Sequence, residues 1–362
     1  MHNVADSAPH RAGGSIRSPC DDRIATLCPQ RRSSPGRGRP GFVTTAPSAR
    51  FSRMTVPQHQ AMYQSRAAAV AASIGAGDGT MTYAELRRRG ASRRQIDEAT
   101  AGGRLIRVRK GTYISGGCQP AILTAARNGG RLDCVSLLAL LKVFVLHPGA
   151  LHVQMDYGST RIPARSQQLV RHWRATEVEH ASLVAPLVEA LAQACRCQPP
   201  RAAIATLDSA WHLGLVDEQD IAEVFRRLPR RFRVLRAHLD RRAESGAESL
   251  MRLLLRSQGW TVDVQVDISG VGRVDLVVDG WLIIECDSEE FHSGWEAGKR
   301  DRRRDLAAAA LGYVTLRPIA EDIMYHPERV LSTVRAAIEH RELMAGVHKF
   351  ATSHTKARPT AR

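Results

Sequence analysis

Four residues toward the C-terminal end have types and spacing suited to chemistry: Asp275, Glu285, Cys286 and Asp287. They lie in VGRVDLVVDGWLIIECDSEEFH, where two apolar runs, 274–278 and 281–284, flank Asp279 and Gly280. An Asp-Gly pair between two such runs predicts a β-hairpin with a tight turn. Asp275 then falls early on the first strand and Glu285 at the end of the second, and antiparallel pairing brings the two carboxylates together. Converging carboxylates at strand ends are what a hard divalent cation such as Mg²⁺ draws from a protein. The bland alternative is a surface hairpin with ordinary solvated charges. Against it, Asp275 interrupts an apolar strand and Glu285 directly follows Leu282, Ile283 and Ile284. A carboxylate placed there needs a partner, a metal or a shifted pKa to offset its desolvation.

The elements that must position this pair are legible around it. A helix over 247–258 carries Leu250, Leu253 and Leu254 on one face and stops at Gly259. A strand over 261–266 precedes the hairpin. A basic helix over 297–311 follows and stops at Gly312, then come a strand over 313–317 and a closing helix over 330–340. The order α-β-β-β-α-β-α defines a mixed α/β unit spanning 243–340.

An earlier unit, 56–115, opens with a short helical stretch at 67–73. Thr82 with Glu85 three positions later forms a capping-box pattern for a helix over 83–89, ended by Gly90. Ser92 caps a second helix over 93–101, stopped by Gly102 and Gly103. Strands over 105–108 and 111–114 follow around a basic turn. Helix, turn, helix and β-wing is the winged helix-turn-helix pattern, whose second helix enters the major groove. Arg93, Arg94 and Gln95 open that helix, where base-edge contacts arise. Arg107, Arg109 and Lys110 line the wing, where phosphates are met. The alternative is a small protein-binding domain with solvated charges. Between the two units, 119–242 reads as mixed α/β, with helices near 137–141, 184–194, 203–213 and 218–227 and a strand at 150–155. The basic run Arg226 to Arg231 reads as a solvated face or a phosphate contact. His147, His152 and His172 show no metal-ligand spacing.

The chain has 362 residues, 43% of them hydrophobic, enough for two or three small cores. A net charge of +16 favours a polyanionic partner, nucleic acid first, although an Arg-rich composition alone would also produce it. No apolar run approaches a membrane span and the N-terminus lacks a secretory core, so a cytoplasmic protein without a membrane partner is expected. Residues 1–53, rich in Arg, Ser, Pro and Gly, and residues 341–362 are expected to be disordered tails. The 7 cysteines are irregularly spaced, and Cys195 and Cys197 are too close for a usual zinc knuckle, so reduced thiols without structural zinc are expected.

Several pieces of the last unit resemble the PD-(D/E)XK nuclease superfamily, in the branch similar to very-short-patch-repair endonucleases. They are Glu248 on the first helix, Gln265 in the first strand, the Gly272-Arg273-Val274-Asp275 and Ile284-Glu285-Cys286-Asp287 segments, Phe291-His292, the run from Asp301 to Asp305, and Gly312 to Arg317. The resemblance implies that Asp275 and Glu285 hold Mg²⁺ or Mn²⁺, with the Cys286 carbonyl as a further ligand. It implies that Glu248 orients a metal-bound water and Gln265 positions water or phosphate. His292 would act as general acid or base, and Arg300, Arg303 and Arg304 would meet phosphates. The superfamily usually has Lys where this chain has Asp287, which could bind a second cation or a metal-bound water. The first unit resembles the winged helix of AbiEi-family antitoxins, which implies double-stranded DNA and a cognate toxin as partners. The whole is then a multidomain α/β protein: an N-terminal winged helix-turn-helix, a mixed α/β middle and a C-terminal restriction-endonuclease-like α/β sheet. Two functions follow, a metal-dependent endonuclease or a non-catalytic repressor with a degenerate nuclease fold.

Overall fold

A computed structural model of the protein describes residues 79–159, 169–287 and 294–355. The expected tail at 1–53 and the short helix at 67–73 lie outside these residues.

The first unit is built on two capping boxes. Strand β1 (Met81–Thr82) leads into α1 (Tyr83–Arg88), and α2 (Arg93–Ala101) is followed by β2 (Leu105–Arg109) and β3 (Thr112–Ser115). The Thr82 hydroxyl accepts from the Glu85 amide at 3.1 Å, and the Glu85 carboxylate accepts from the Thr82 amide at 2.6 Å. Ser92 and Gln95 repeat the arrangement on the second helix. Each box satisfies N-terminal amides that the helix itself leaves open. The strands form a sheet in the order β1-β3-β2. Met81, Leu86, Ile96 and Tyr113 make its small core.

The middle segment comprises α3 (Pro120–Arg127), β4 (Arg131–Leu132), α4 (Cys134–Leu140), β5 (Leu151–Met155) and β6 (Leu169–Trp173). Helices α5 (Leu187–Cys197), α6 (Pro200–His212) and α7 (Glu218–Arg227) and a 3₁₀ segment (Arg230–His238) follow. Strand β5 pairs antiparallel with β4 and parallel with β6. The cysteines and histidines of this segment show no metal-ligand spacing in sequence, but the fold brings four of them together. Cys134, His152, His172 and Cys197 bring four potential ligand atoms within 4.8 Å of one another. Chain folding, not local spacing, gathers them: His152 and His172 are 20 positions apart and His172 and Cys197 are 25 apart.

The C-terminal unit contains α8 (Gly246–Arg256), β7 (Val262–Ile268), β8 (Gly272–Val278), β9 (Leu282–Ile284), α9 (Gly294–Ala310), β10 (Val314–Leu316), α10 (Ala320–Tyr325) and α11 (Pro327–Thr355). The sheet order is β10-β9-β8-β7, with β10 parallel to β9 and the other pairs antiparallel. Asp279 (φ 47°) and Gly280 (φ 77°) both take the left-handed conformation that a two-residue hairpin turn requires. Leu276, Val278, Leu282 and Ile284 face a core shared with Leu250 and Met251 of α8 and Val334 of α11. Val277 and Ile283 face Ala308 of α9 on the other side. Helix α11 continues to Thr355, so the expected tail at 341–362 is helical over 341–355. Its Glu342, Leu343, Met344 and Ala345 are strong helix formers and no proline interrupts them. Among the described residues, no helix is long and apolar enough to cross a membrane.

Helices α6 and α8 are joined by a buried ion pair. Arg252 donates to the Asp208 carboxylate at 2.7 Å, and neither side chain has any exposed surface. The Ser249 hydroxyl donates to the same Asp208 oxygen at 2.8 Å, and the Asp240 amide donates to the other at 2.8 Å. This network fixes the helix that carries Glu248.

Candidate active site

The hairpin places Asp275 at the middle of β8 and Glu285 just past the end of β9. The two are linked through backbone amides: the Asp275 amide donates to Glu285 Oε2 at 3.4 Å, and the Cys286 amide donates to Asp275 Oδ2 at 2.8 Å. Glu248 enters from the first turn of α8. Its Oε2 accepts from the Glu244 amide at 2.9 Å, and its own amide donates to the Ser245 cap at 3.1 Å.

Gln265 links these carboxylates. Its Nε2 donates to Glu248 Oε2 at 2.9 Å and to Asp275 Oδ1 at 3.4 Å. Gln265 holds φ at 53° inside a strand, a conformation that a residue with a side chain rarely adopts. The β7–β8 register is unchanged on either side, Val264 against Leu276 and Val266 against Val274. The strain is therefore confined to the residue that bridges the acids, a placement typical of functional positions.

Three carboxylates in partly dry surroundings are held away from their ordinary ionisation. Burial raises the pKa of Glu248, and the Asp275 charge adds to it. Burial likewise raises Asp275, opposed by the Cys286 amide and by Gln265. Burial and then the Asp275 charge raise Glu285, while Arg304 and Arg317 pull it down. Cys286 is buried and its thiol is pushed well above the ordinary range, first by burial and then by Asp275, so it is an inert filler.

The cationic side of the site comes from two arginines. Arg304, on α9, donates to Glu285 Oε1 at 2.9 Å and to the Val271 and Arg273 carbonyls. The Arg304 guanidinium, expected to meet phosphates, therefore stands against the Glu285 carboxylate. Arg317 was not among the site residues expected from the sequence. It lies 4.0 Å from Glu285 and 3.4 Å from Asp287, and it donates to Asp305 at 2.8 Å. It directly follows β10, and the parallel pairing of Leu316 with Ile284, which no local motif announces, puts it beside Glu285.

Asp287 shares Arg317 with Glu285, and its charge adds to the rise of the Asp275 pKa. The Asp287 side chain is 46% exposed and faces Arg317, and its carbonyl accepts from the Ala320 amide at 2.9 Å. His292 lies outside the described residues. Arg300 and Arg303 are exposed on α9.

Of the residues expected to meet DNA, Arg93 and Arg94 are exposed at the start of α2 and pair along the helix with Asp97 and Glu98 at 3.8 and 2.7 Å. The Gln95 side-chain oxygen accepts from the Ser92 amide as the capping partner of that helix. Arg107 and Lys110 are exposed on the β2–β3 hairpin. Arg109 turns back toward Gly129, where even a Cβ would meet its guanidinium at 2.4 Å.

The donor set suits a hard divalent cation: oxygen ligands only, partly buried, with more negative than positive charge at the centre. Asp275 and Glu285 would be the protein ligands, and water would complete the shell, as is usual for Mg²⁺.

Residues 248–338 match REase_MTES_1575, the model of a restriction-endonuclease-like family. The matched segment runs from Glu248 to Ile338 and contains every carboxylate of the Gln265 group, so the C-terminal part is a restriction-endonuclease-like, nuclease-like domain. No match to the chain was found among curated proteins.

Proposed function

We propose that the chain is a DNA-binding protein whose C-terminal domain hydrolyses phosphodiester bonds with Mg²⁺ or Mn²⁺. The observation that carries this reading is Gln265 bonded to Glu248 and Asp275, with Glu285 joined to the Asp275 amide, within the segment that matches the nuclease-like family. A bound divalent cation supplies Lewis-acid polarisation of the phosphate and a lowered pKa for an attacking water. Asp275 and Glu285 hold the cation. Glu248, with its raised pKa, and Gln265 orient water beside them. Arg304 and Arg317 supply the positive charge that Asp287 cannot, and stabilise charge developing on the phosphate. His292 serves as general acid or base.

The first unit docks the duplex as a winged helix-turn-helix. Arg93 and Arg94 face the major groove, and Arg107 and Lys110 contact backbone. The test is nicking of supercoiled plasmid by the full chain with Mg²⁺ or Mn²⁺, compared with Asp275→Ala and Glu285→Ala. Activity in the wild type and its loss in both variants is the expected result. Equal nicking by wild type and variants rejects the hydrolytic reading.

A specific observation favours a second reading. Arg304 already neutralises Glu285, and Asp287 stands in the usual Lys position facing Arg317. On that reading the C-terminal fold is a non-catalytic clamp in a transcriptional regulator, similar to an antitoxin-like repressor with a toxin partner. A discrete DNA footprint that survives Asp275→Ala and disappears in Arg93→Ala/Arg94→Ala, without cleavage, distinguishes it.

A further inference from the structure

The middle segment holds a second constellation with different chemistry. Cys134 opens α4, His152 is on β5, His172 is on β6 and Cys197 closes α5. Strands β5 and β6 are parallel, with His152 opposite Val170 and Gln154 opposite His172. The two histidines therefore stand on one face as diagonal neighbours. The helix ends deliver the two thiols to that face.

The distances are those of a metal-ready group. His152 Nδ1 and His172 Nε2 are 3.0 Å apart, His172 Nε2 and Cys197 Sγ are 3.8 Å apart, and all four ligand atoms lie within 4.8 Å of one another. A tetrahedral zinc ion, with Zn–N of about 2.0–2.1 Å and Zn–S of about 2.3 Å, sets nitrogen–nitrogen separations of about 3.3 Å and nitrogen–sulfur separations of about 3.6 Å. Small shifts close the observed group onto that geometry. Among the described residues, this is the one group of three or more His, Cys, Asp or Glu that meets such a criterion.

We propose that Cys134, His152, His172 and Cys197 bind a zinc ion in a closed, four-ligand tetrahedral site that staples the middle segment together. Two thiolates and two neutral imidazoles balance the charge of a divalent cation, so the complex suits the half-buried setting. Binding releases the two thiol protons. With four protein ligands no position is left for substrate, which makes the site structural, not catalytic.

Two further features fit. Cys134 holds φ at 52°, a left-handed conformation that is strained for cysteine, and the strain aims its side chain into the group. Gln193 Nε2 donates to Cys197 Sγ at 3.3 Å, the kind of outer hydrogen bond that steadies a ligating sulfur.

The test uses the full chain. Metal content is measured after dialysis, the zinc is exchanged for cobalt, and thiol alkylation is mapped with and without zinc. Expected are one zinc per chain, ligand-field bands of tetrahedral cobalt with sulfur-to-cobalt charge transfer, and zinc protection of Cys134 and Cys197 but not Cys118. The Asp275→Ala/Glu285→Ala variant keeps its zinc, which separates this site from the acidic one. Cys197→Ser and His172→Ala lose the zinc. If those variants fail to fold, the wild-type cobalt spectrum and the alkylation map decide alone. Wild type without the charge-transfer band, equal alkylation of Cys197 in both conditions, or a Cys134–Cys197 disulfide in freshly purified protein overturns the proposal.

Discussion

Replacing Arg252 with Met is expected to be among the most damaging single changes outside the acidic site. Arg252 and Asp208 are both fully buried, and the guanidinium also donates to the His238 carbonyl at 2.8 Å. Removing it leaves Asp208 as an unpaired charge in a dry environment. Breaking one side of such a buried pair costs about 3–5 kcal/mol. Restoring an apolar match with Arg252→Met/Asp208→Leu is expected to recover most of that loss, because the desolvation of both ions disappears together. The pH dependence has a definite sign. Burial already raises the Asp208 pKa to about 6, with Arg252 first among the groups opposing the rise. Without Arg252 it climbs further, so the folded state takes up a proton that the unfolded state does not hold. A carboxylate whose folded pKa is raised costs stability as pH rises. The penalty of Arg252→Met is therefore larger at pH 8 than at pH 5.5. Urea midpoints for wild type, single and double variants at both pH values are the assay. A loss below about 1 kcal/mol, or an equal loss at the two pH values, refutes the argument.

Further outcomes are expected. The raised pKa values of Glu248, Asp275 and Glu285 make the folded, metal-free domain bind more protons than the unfolded chain above the ordinary carboxylate range of about 4. Its stability contribution therefore falls as pH rises through that window, and Glu248→Gln flattens the dependence of thermal midpoint on pH. Arg93→Ala/Arg94→Ala weakens duplex binding and lowers the slope of log affinity against log salt by about 0.9 for each phosphate no longer neutralised, read by anisotropy over a salt series. Gly130→Ala brings a Cβ to 2.5 Å from the Gln154 carbonyl oxygen in the neighbouring strand, so the variant loses thermal stability with no change in charge.

What could be read from the sequence was local. The hairpin followed from Asp279 and Gly280, because a two-residue turn demands left-handed backbone that few other pairs accept. The two capping boxes followed from Thr82, Glu85, Ser92 and Gln95, whose partners lie three residues away. What escaped depends on distant pairings. Arg317 reaches Glu285 only because β10 lies parallel to β9. The Cys and His group is gathered from two helix ends and two strands, and no short motif spaces its members. The Asp208–Arg252 pair joins residues 44 positions apart, and in sequence each reads as a charge among mostly apolar residues with no local partner announced.

The absence of the usual Lys and the presence of Arg304 belong to one electrostatic problem. Asp275 repels both Glu248 and Glu285 in a poorly solvated space, and the raised pKa values of those two express burial first and that repulsion second. Without a bound cation, Arg304 satisfies part of the demand by donating to Glu285 Oε1, while the Asp275 amide donates to the other oxygen of that carboxylate. A guanidinium cannot be deprotonated, so unlike Lys it cannot take a proton from water, but it can meet a phosphate through two parallel hydrogen bonds. On the proposed reading, Asp275 and Glu285 would hold the cation, and Arg304, no longer needed to offset Glu285, would be free to meet the phosphate. The acidic group thus needs an external partner to resolve its charge, whereas the Cys and His group resolves its own with a single ion.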